Sequence, residues 1–211
     1  FINNLCCGTM RREPGLNRAT PYHFPHTTQA AGTTFVYGGD DRWYQNIFVG
    51  GTETYTEQST NGTADYDGSP TSLEEYIEWV LAEGNGDLER FEPVKQAVYI
   101  DRNGYLDGAP AFAEEKENVH CAGNPNVRIV EEDGVTYLEM AIEKGLLELK
   151  GQKLETADLG MVRIVEQAFD DPQGNPIVFD TDYNENPRAE QSAIGPFAEL
   201  KEGLNRIKVW G

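Results

Sequence analysis

Phe1-Ile2-Asn3-Asn4-Leu5-Cys6-Cys7-Gly8 and Trp43-Tyr44-Gln45-Asn46-Ile47-Phe48-Val49-Gly50 are two versions of one pattern. Each opens on an aromatic residue, with Asn at the fourth place, a large aliphatic or its equivalent at the fifth and Gly at the eighth. The copies stand 42 residues apart. That offset fits two coils of about 21 residues each, a length suited to stacked strand-and-turn units. In such a stack, the inward apolar side chains of one coil meet their equivalents in the next. An Asn at a fixed turn can bond to the Asn of the neighbouring coil and satisfy turn backbone groups. Thr33-Thr34-Phe35-Val36-Tyr37, before the Gly38-Gly39 turn, reads as the intervening strand.

These features predict an all-β chain. Residues 1–50 form right-handed parallel β-helix coils. Residues 51–93 form a polar loop and one amphipathic helix. Residues 94–211 form antiparallel strands that cap the stack. Ser72-Leu73-Glu74-Glu75 has the form of a capping box. Leu73, Ile77, Val80 and Leu81 then recur at helical spacing, with Gly84 in the C-cap place, so the helix is expected over 72–83. Val94 to Ile100 reads as a strand and Asp101-Arg102-Asn103-Gly104 as a turn. Further strands are expected at 127–131, 135–141, 145–149, 161–167, 176–179 and 206–210. Turns such as Glu132-Asp133-Gly134 and Asp170-Asp171-Pro172-Gln173-Gly174-Asn175 separate them.

The charge narrows the function. There are 36 acidic residues against 17 Lys and Arg, for a net charge of -19. Nucleic acids and anionic membranes are bound through cationic side chains, so neither is an expected partner. A neutral substrate meets no such barrier. Three cysteines, two of them adjacent, make no disulfide framework. Reduced, mostly buried thiols in a cytoplasmic protein are the plain reading. Phe1 follows no methionine and the opening residues already read as a strand, so the chain is expected to be processed or the C-terminal part of something longer. No P-loop, GxGxxG, G-x-S-x-G or CxxC pattern occurs, and neither cofactor nor metal is expected.

Residues 9–42 hold the densest chemistry. Tyr22-His23-Phe24-Pro25-His26 offers three readings: a metal pair, sugar recognition by imidazoles and a flat ring, or a loop fixed by proline with its histidines bonded to backbone. Asp40-Asp41-Arg42 ends a strand after two glycines. Neighbours in an extended chain point to opposite faces, so only one aspartate can face a given groove. The other orients Arg42 or caps a turn. Glu13, beside Pro14, is a third carboxylate that can equally pair with Arg11 or Arg12. Asp65-Tyr66-Asp67-Gly68 and Asp101-Arg102-Asn103-Gly104 lack the full ligand spacing of calcium loops.

Taken together, Asn3-Asn4-Leu5-Cys6-Cys7-Gly8, Arg18-Ala19-Thr20-Pro21-Tyr22-His23-Phe24-Pro25-His26-Thr27-Thr28 and Gly38-Gly39-Asp40-Asp41-Arg42-Trp43-Tyr44-Gln45-Asn46-Ile47-Phe48 resemble the β-helix β-xylosidases of glycoside hydrolase family 120. Ala97-Val98-Tyr99-Ile100 and Tyr105-Leu106-Asp107-Gly108-Ala109 also resemble the segment that follows the coils in that family. The resemblance implies a retaining glycosidase with an Asp nucleophile and a Glu acid/base, one coil apart. Positions 21–23 residues after Asp40 and Asp41 hold Asn61, Gly62, Thr63 and Ala64, and no carboxylate stands at the same interval before them. The family's pair therefore falls upstream, and this chain is its C-terminal portion. On that view Asp40 or Asp41 is the acidic member of the site, while Tyr22, His23, His26, Arg42 and Glu13 contact substrate. The implied partners are a neutral xylo-oligosaccharide, a companion chain carrying the preceding coils, and further copies of the chain. A β-helix polysaccharide lyase or polygalacturonase, and a non-catalytic carbohydrate-binding or assembly module, are the alternative readings.

Overall fold

The computed structural model describes residues 1–11, 20–34, 39–51, 60–83 and 94–211. Its spine is a parallel sheet in which Leu5–Cys6, Ile47–Val49, Asn103–Leu106 and Asn118–Cys121 lie side by side in that order. A second parallel ladder pairs Arg42–Tyr44 with Tyr99–Asp101, and Ile2 joins it through a parallel bridge to Tyr44.

Leu5 faces Ile47 directly. The 42-residue recurrence is therefore one rung step, not two coils of 21. The extra length goes into an excursion, where Thr20–His23 and Ala30–Thr34 pair antiparallel as a hairpin. Thr33 and Thr34 belong to that hairpin, and Phe35, Val36 and Tyr37 lie outside the described residues. The next step, from Asn46 to Asn103, is 57 residues. Only strands and corners must repeat in a stack, and a longer loop between corners adds little closure entropy. The rungs run on to Cys121, so two of the four lie beyond the expected boundary at residue 50, among strands expected to be antiparallel.

A ladder of amides holds the corners. Asn4 N and Nδ2 both donate to Asn46 Oδ1 at 2.9 Å. Asn46 N and Nδ2 donate to Asn103 Oδ1 at 2.8 and 3.0 Å. Asn103 N and Nδ2 donate to Glu115 Oε1 at 2.9 and 2.8 Å, and the ladder ends there. Asn46 and Asn103 are fully buried, where each unpaired polar group would cost about 1–3 kcal/mol. Rings stack alongside: Phe48 on Tyr105 and Tyr105 on His120, both with centroids 5.3 Å apart, and Phe1 on Trp43 at 3.9 Å.

Both faces of the parallel sheet are covered, which accounts for the unbroken apolar run Ile47-Phe48-Val49. Phe48 and Tyr105 join Trp43, Ile100, Tyr66 and Phe112 in one core. Ile47, Val49 and Leu106 join Leu138, Met140, Leu146, Ile194 and Phe197 in another. An antiparallel sheet of Arg128–Glu132, Val135–Ile142 and Gly203–Trp210 supplies part of that cover. Its tight turn places Asp133 and Gly134 at φ +50° and +78°, as a two-residue hairpin requires. Residues 145–149, expected as a strand, lie instead in and beside the helix Lys144–Glu148. Gly-Leu-Leu-Glu carries no β-branched residue to oppose a helix. Leu146 from this helix fills the space above Gly104, where a Cβ would stand 2.5 Å from Leu146 Cδ1.

The helix expected over 72–83 spans Leu73–Ala82. Ser72 Oγ accepts from Glu75 N at 3.1 Å, but the Glu75 carboxylate takes Thr71 N at 2.8 Å in place of Ser72 N. The buried face also differs. Tyr76 and Val80 pack on Val94 and Ala97, while Leu73, Ile77 and Leu81 are exposed. Gly84 lies outside the described residues. All three cysteines are free. Cys121 is buried, Cys6 is half-buried with its thiol pushed up to about 11 by burial, and Cys7 is exposed, so the thiols are not mostly buried.

Candidate functional site

The second ladder sets a row of side chains along one flank. Alternation turns Trp43 and Ile100 into the core and leaves Arg42, Tyr44, Tyr99 and Asp101 on the opposite face. A cleft of about 210 Å³ follows this flank, with Tyr44, Thr71, Tyr99, Asp101, Glu114 and Lys116 among its walls. Burial pushes the Tyr44 phenol up to about 12, against the pull of Arg42. The Tyr99 phenol is raised too, by burial first and then by the charge of Asp40. Both hydroxyls are neutral at pH 7 and can donate as well as accept. Asp101 Oδ1 accepts from Glu117 N at 2.9 Å, which fixes its carboxylate. Ring faces, neutral hydroxyls and a few charges of both signs suit a polyhydroxylated neutral ligand.

The residues singled out from sequence are not gathered in this cleft. Asp40 stands at φ +61°. Its Oδ1 accepts from Arg42 Nη1 at 2.7 Å and its Oδ2 from Arg163 N at 3.0 Å. Arg42 is only 7% exposed. Its Nε donates to Leu159 O at 2.7 Å and its Nη2 to Met161 O at 2.8 Å. The guanidinium carbon lies 4.6 Å from the centroid of the Tyr99 ring and 4.9 Å from that of Phe169. All three Arg42 nitrogens are engaged within the protein, so this side chain joins the ladder to residues 159–169 and is not offered to a sugar. Asp41 faces another partner set: its Oδ2 accepts from Tyr66 OH at 2.9 Å, and Tyr66 OH accepts from Trp43 Nε1 at 3.1 Å.

His26 Nε2 meets Asp170 Oδ1 at 2.9 Å on the surface, and His23 is exposed in its hairpin strand. The two histidines share no partner in the described hydrogen bonds. Tyr22 OH accepts from Gln96 Nε2 at a long 3.4 Å. Glu13 lies outside the described residues. Among the described residues no group of three or more His, Cys, Asp or Glu is placed to hold a metal ion. Asp101-Arg102-Asn103-Gly104 is a rung corner joining two strands, with Arg102 at φ +59°. Among the paired ladder positions Asp101 is the one carboxylate, so no Asp and Glu face each other on adjoining described rungs.

The cleft residues Tyr44, Tyr99, Asp101, Glu114 and Lys116 were not legible as a site. Tyr44 carries a usable signal, an aromatic residue on the outward phase of a strand whose inward neighbour is Trp43. Its ladder partner Asp101 stands 57 residues on, and Tyr99 comes from that same rung, which no local pattern pairs with Tyr44.

This architecture, parallel rungs with an antiparallel sheet laid against them, has a close match among solved structures. The complex of a protein named XylC with xylose matches at a TM-score of 0.88 and 45% identity, over 99% of this chain and 32% of that one. This chain thus spans about a third of the length of its match and shares the fold of that part. No protein-family model and no curated protein matches it.

Proposed function

We propose that this chain is part of a glycosidase acting on xylose-containing saccharides, a retaining β-xylosidase of the family 120 type that releases xylose from xylo-oligosaccharides. The observation that supports this most is the 45% identity to XylC, a protein solved with xylose bound. In the finer reading, the described rungs are the last coils of a right-handed parallel β-helix. Rungs lie about 4.8 Å apart, and a retaining carboxylate pair stands about 5–5.5 Å apart. Adjacent rungs are thus a natural frame for the pair. The proposal assigns the Asp nucleophile and Glu acid/base to further coils stacked on the Phe1–Cys6 edge, in the same polypeptide or a companion. It does not assign them to Asp40 and Asp41, whose carboxylates serve Arg42 and Tyr66. The chain's own contribution is the cleft, where Tyr44 and Tyr99 present rings and hydroxyls to a pentose.

The test is an assay of this chain together with the preceding coils on para-nitrophenyl β-xyloside and xylobiose. Xylose is expected as the product, with the β configuration present at first release. No release from either substrate overturns the proposal. Initial release of the α anomer overturns the retaining mechanism alone.

A further inference from the structure

The asparagine ladder has a direction. Asn4 donates from N and Nδ2 to Asn46 Oδ1, and Asn46 does the same to Asn103 Oδ1. Each later amide also reaches back. Asn46 Nδ2 donates to Phe1 O at 3.2 Å, and Asn103 Nδ2 to Trp43 O at 2.9 Å. Both carbonyls stand three residues before the asparagine of the earlier rung. At Asn4 the pattern stops on its outer side. Its Oδ1 takes no donor among the described residues, and its Nδ2 reaches back only to Ile2 O in its own rung. Leu5–Cys6 is also the outermost strand of the parallel sheet, so one side of its backbone is an open edge.

The apolar side of the same edge is built to match. Ile47 is fully buried, while Leu5, its partner on the outer rung, is only half-buried against the same core. A cavity of about 330 Å³ opens beside Leu5, with Asn4, Ile129, Leu138, Phe197 and Val209 also in its wall. Ile129 stands opposite Leu138 in the antiparallel sheet, yet it is 63% exposed and Leu138 is buried. The sheet therefore reaches past Leu5, to where one more rung would lie. A small apolar ligand would fill the cavity but leave the strand edge and Asn4 Oδ1 unanswered. A second copy of this chain related by a two-fold axis would bring its edge strand reversed or with its faces exchanged, and its asparagine would leave the column.

We propose that the Phe1–Cys6 edge and the cavity beside it form a docking surface for one further rung, a parallel strand that carries Asn over Asn4 and a large aliphatic residue over Leu5. The N and Nδ2 of that Asn donate to Asn4 Oδ1, as in each described step. The carbonyl three residues before it accepts from Asn4 Nδ2. The aliphatic side chain enters the cavity against Ile129 and Val209. The antiparallel sheet is then a clamp that grips the adjoining coil as well as its own rungs. The XylC chain is about three times as long as the part that this chain matches, which is room for such a coil. The proposal rests on the reading that further coils lie on this edge, and adds what the nearest one carries and what holds it.

The test compares the 211-residue chain alone with the chain together with the preceding coils. Amide hydrogen exchange is read at Leu5. Unfolding midpoints are measured for the parent, for Ile129→Asp and for the milder Ile129→Ala, and xylose release is assayed alongside. With the coils present, exchange at Leu5 is expected to slow about a hundredfold or more, and Ile129→Asp to lower the midpoint by several degrees. In the chain alone Ile129 is exposed, so the same variant is expected to leave the midpoint within about two degrees. Ile129→Ala follows the same split with a smaller drop. Leu5 exchange unchanged by the coils overturns the docking surface, and so does an Ile129→Asp effect equal in both forms. Slow Leu5 exchange in the chain alone, with a dimer or longer series by sedimentation, gives the surface to a second copy and overturns the proposal too. Xylose release with Leu5 unprotected overturns the docking surface alone. Protection of Leu5 without xylose release leaves the surface standing and removes the glycosidase reading.

Discussion

Asn4, Asn46 and Asn103 occupy the same corner on successive rungs, and each satisfies the next. Residues 155–198 are held differently. There single arginines bind carbonyls that no repeat relates. Arg42 takes Leu159 O and Met161 O, and Arg188 takes Thr181 O, Ala193 O and Gly195 O at 3.2, 3.0 and 2.6 Å. A rung stack distributes its polar satisfaction over many equivalent groups. In the appended region it falls to unrelated single groups, among them two buried cations, both 7% exposed, and the Asp171 and Asp182 carboxylates at loop corners. Damage to the ladder should therefore propagate, and damage to a joint should stay local.

The largest effect is expected at the middle of the ladder. Asn103→Ala strands Asn46 N, leaves Asn46 Nδ2 only its bond to Phe1 O, and removes the Asn103 Nδ2 bonds to Trp43 O and Glu115 Oε1. A loss of about 4 kcal/mol in urea unfolding is expected from several orphaned groups together. Asn4→Ala, at the more exposed rung, should cost about 1 kcal/mol. Equal losses at the two positions would break the idea that the ladder is a coupled series.

Next in size is Arg188→Met, expected to cost about 3 kcal/mol through its stranded carbonyls. Hydrogen exchange should accelerate within 180–198 and stay slow at Ile47–Val49 and Asn103–Leu106. Uniform acceleration would show that the joint and the ladder are one cooperative unit.

Glu115 sharpens the comparison from the charge side. Burial raises its carboxyl above the usual value of 4.5, although Tyr105 and Asn103 hydrogen bonds oppose the shift. A raised acid holds its proton more tightly when folded. Its contribution is therefore fully present below pH 4.5 and is lost as pH rises through the folded value. Glu115→Gln keeps an acceptor for Asn103 and cannot ionise. Its stability should decline less than the parent's as pH rises from 4.5, measured as unfolding midpoint against pH. Parallel profiles for the two proteins would refute the assignment. The smallest effect is expected at the surface, where His26→Ala removes the exposed pair with Asp170 for about 0–1 kcal/mol. A larger loss would mean that the hairpin depends on this contact.

The first two rungs were readable because a corner amide ladder demands Asn at each corner, as at Asn4 and Asn46. The third copy, Asn103-Gly104-Tyr105-Leu106, escaped because its aliphatic position is Gly, and the missing side chain is replaced in space by Leu146 from another segment. Read locally, Asn-Gly is a turn; in the stack, Asn103 is a corner and Gly104 a strand residue. The helix shows a related limit. Leu73, Ile77 and Leu81 mark an apolar stripe, yet the chain rests on Tyr76 and Val80, because the faces available at Val94 and Ala97 decide which edge is covered. The candidate site was the least legible part. Asp40, Asp41 and Arg42 stand out as a charged cluster, but Arg42 is consumed by carbonyls 117 and 119 residues away.

By itself the sequence determined that this is a β-rich chain with Asn-marked rungs, one capped helix, a tight Asp-Gly turn and a strongly acidic make-up. Each of these follows from local chemistry: an amide that must repeat, a hydroxyl at a helix start, a residue tolerant of positive φ, a net charge. Only the tertiary structure decided how many residues make a rung step, which arginine is a joint and which polar atoms are left unpaired. Those depend on what arrives beside a residue from far along the chain, and a buried polar group takes the nearest partner in space, whatever its distance in sequence.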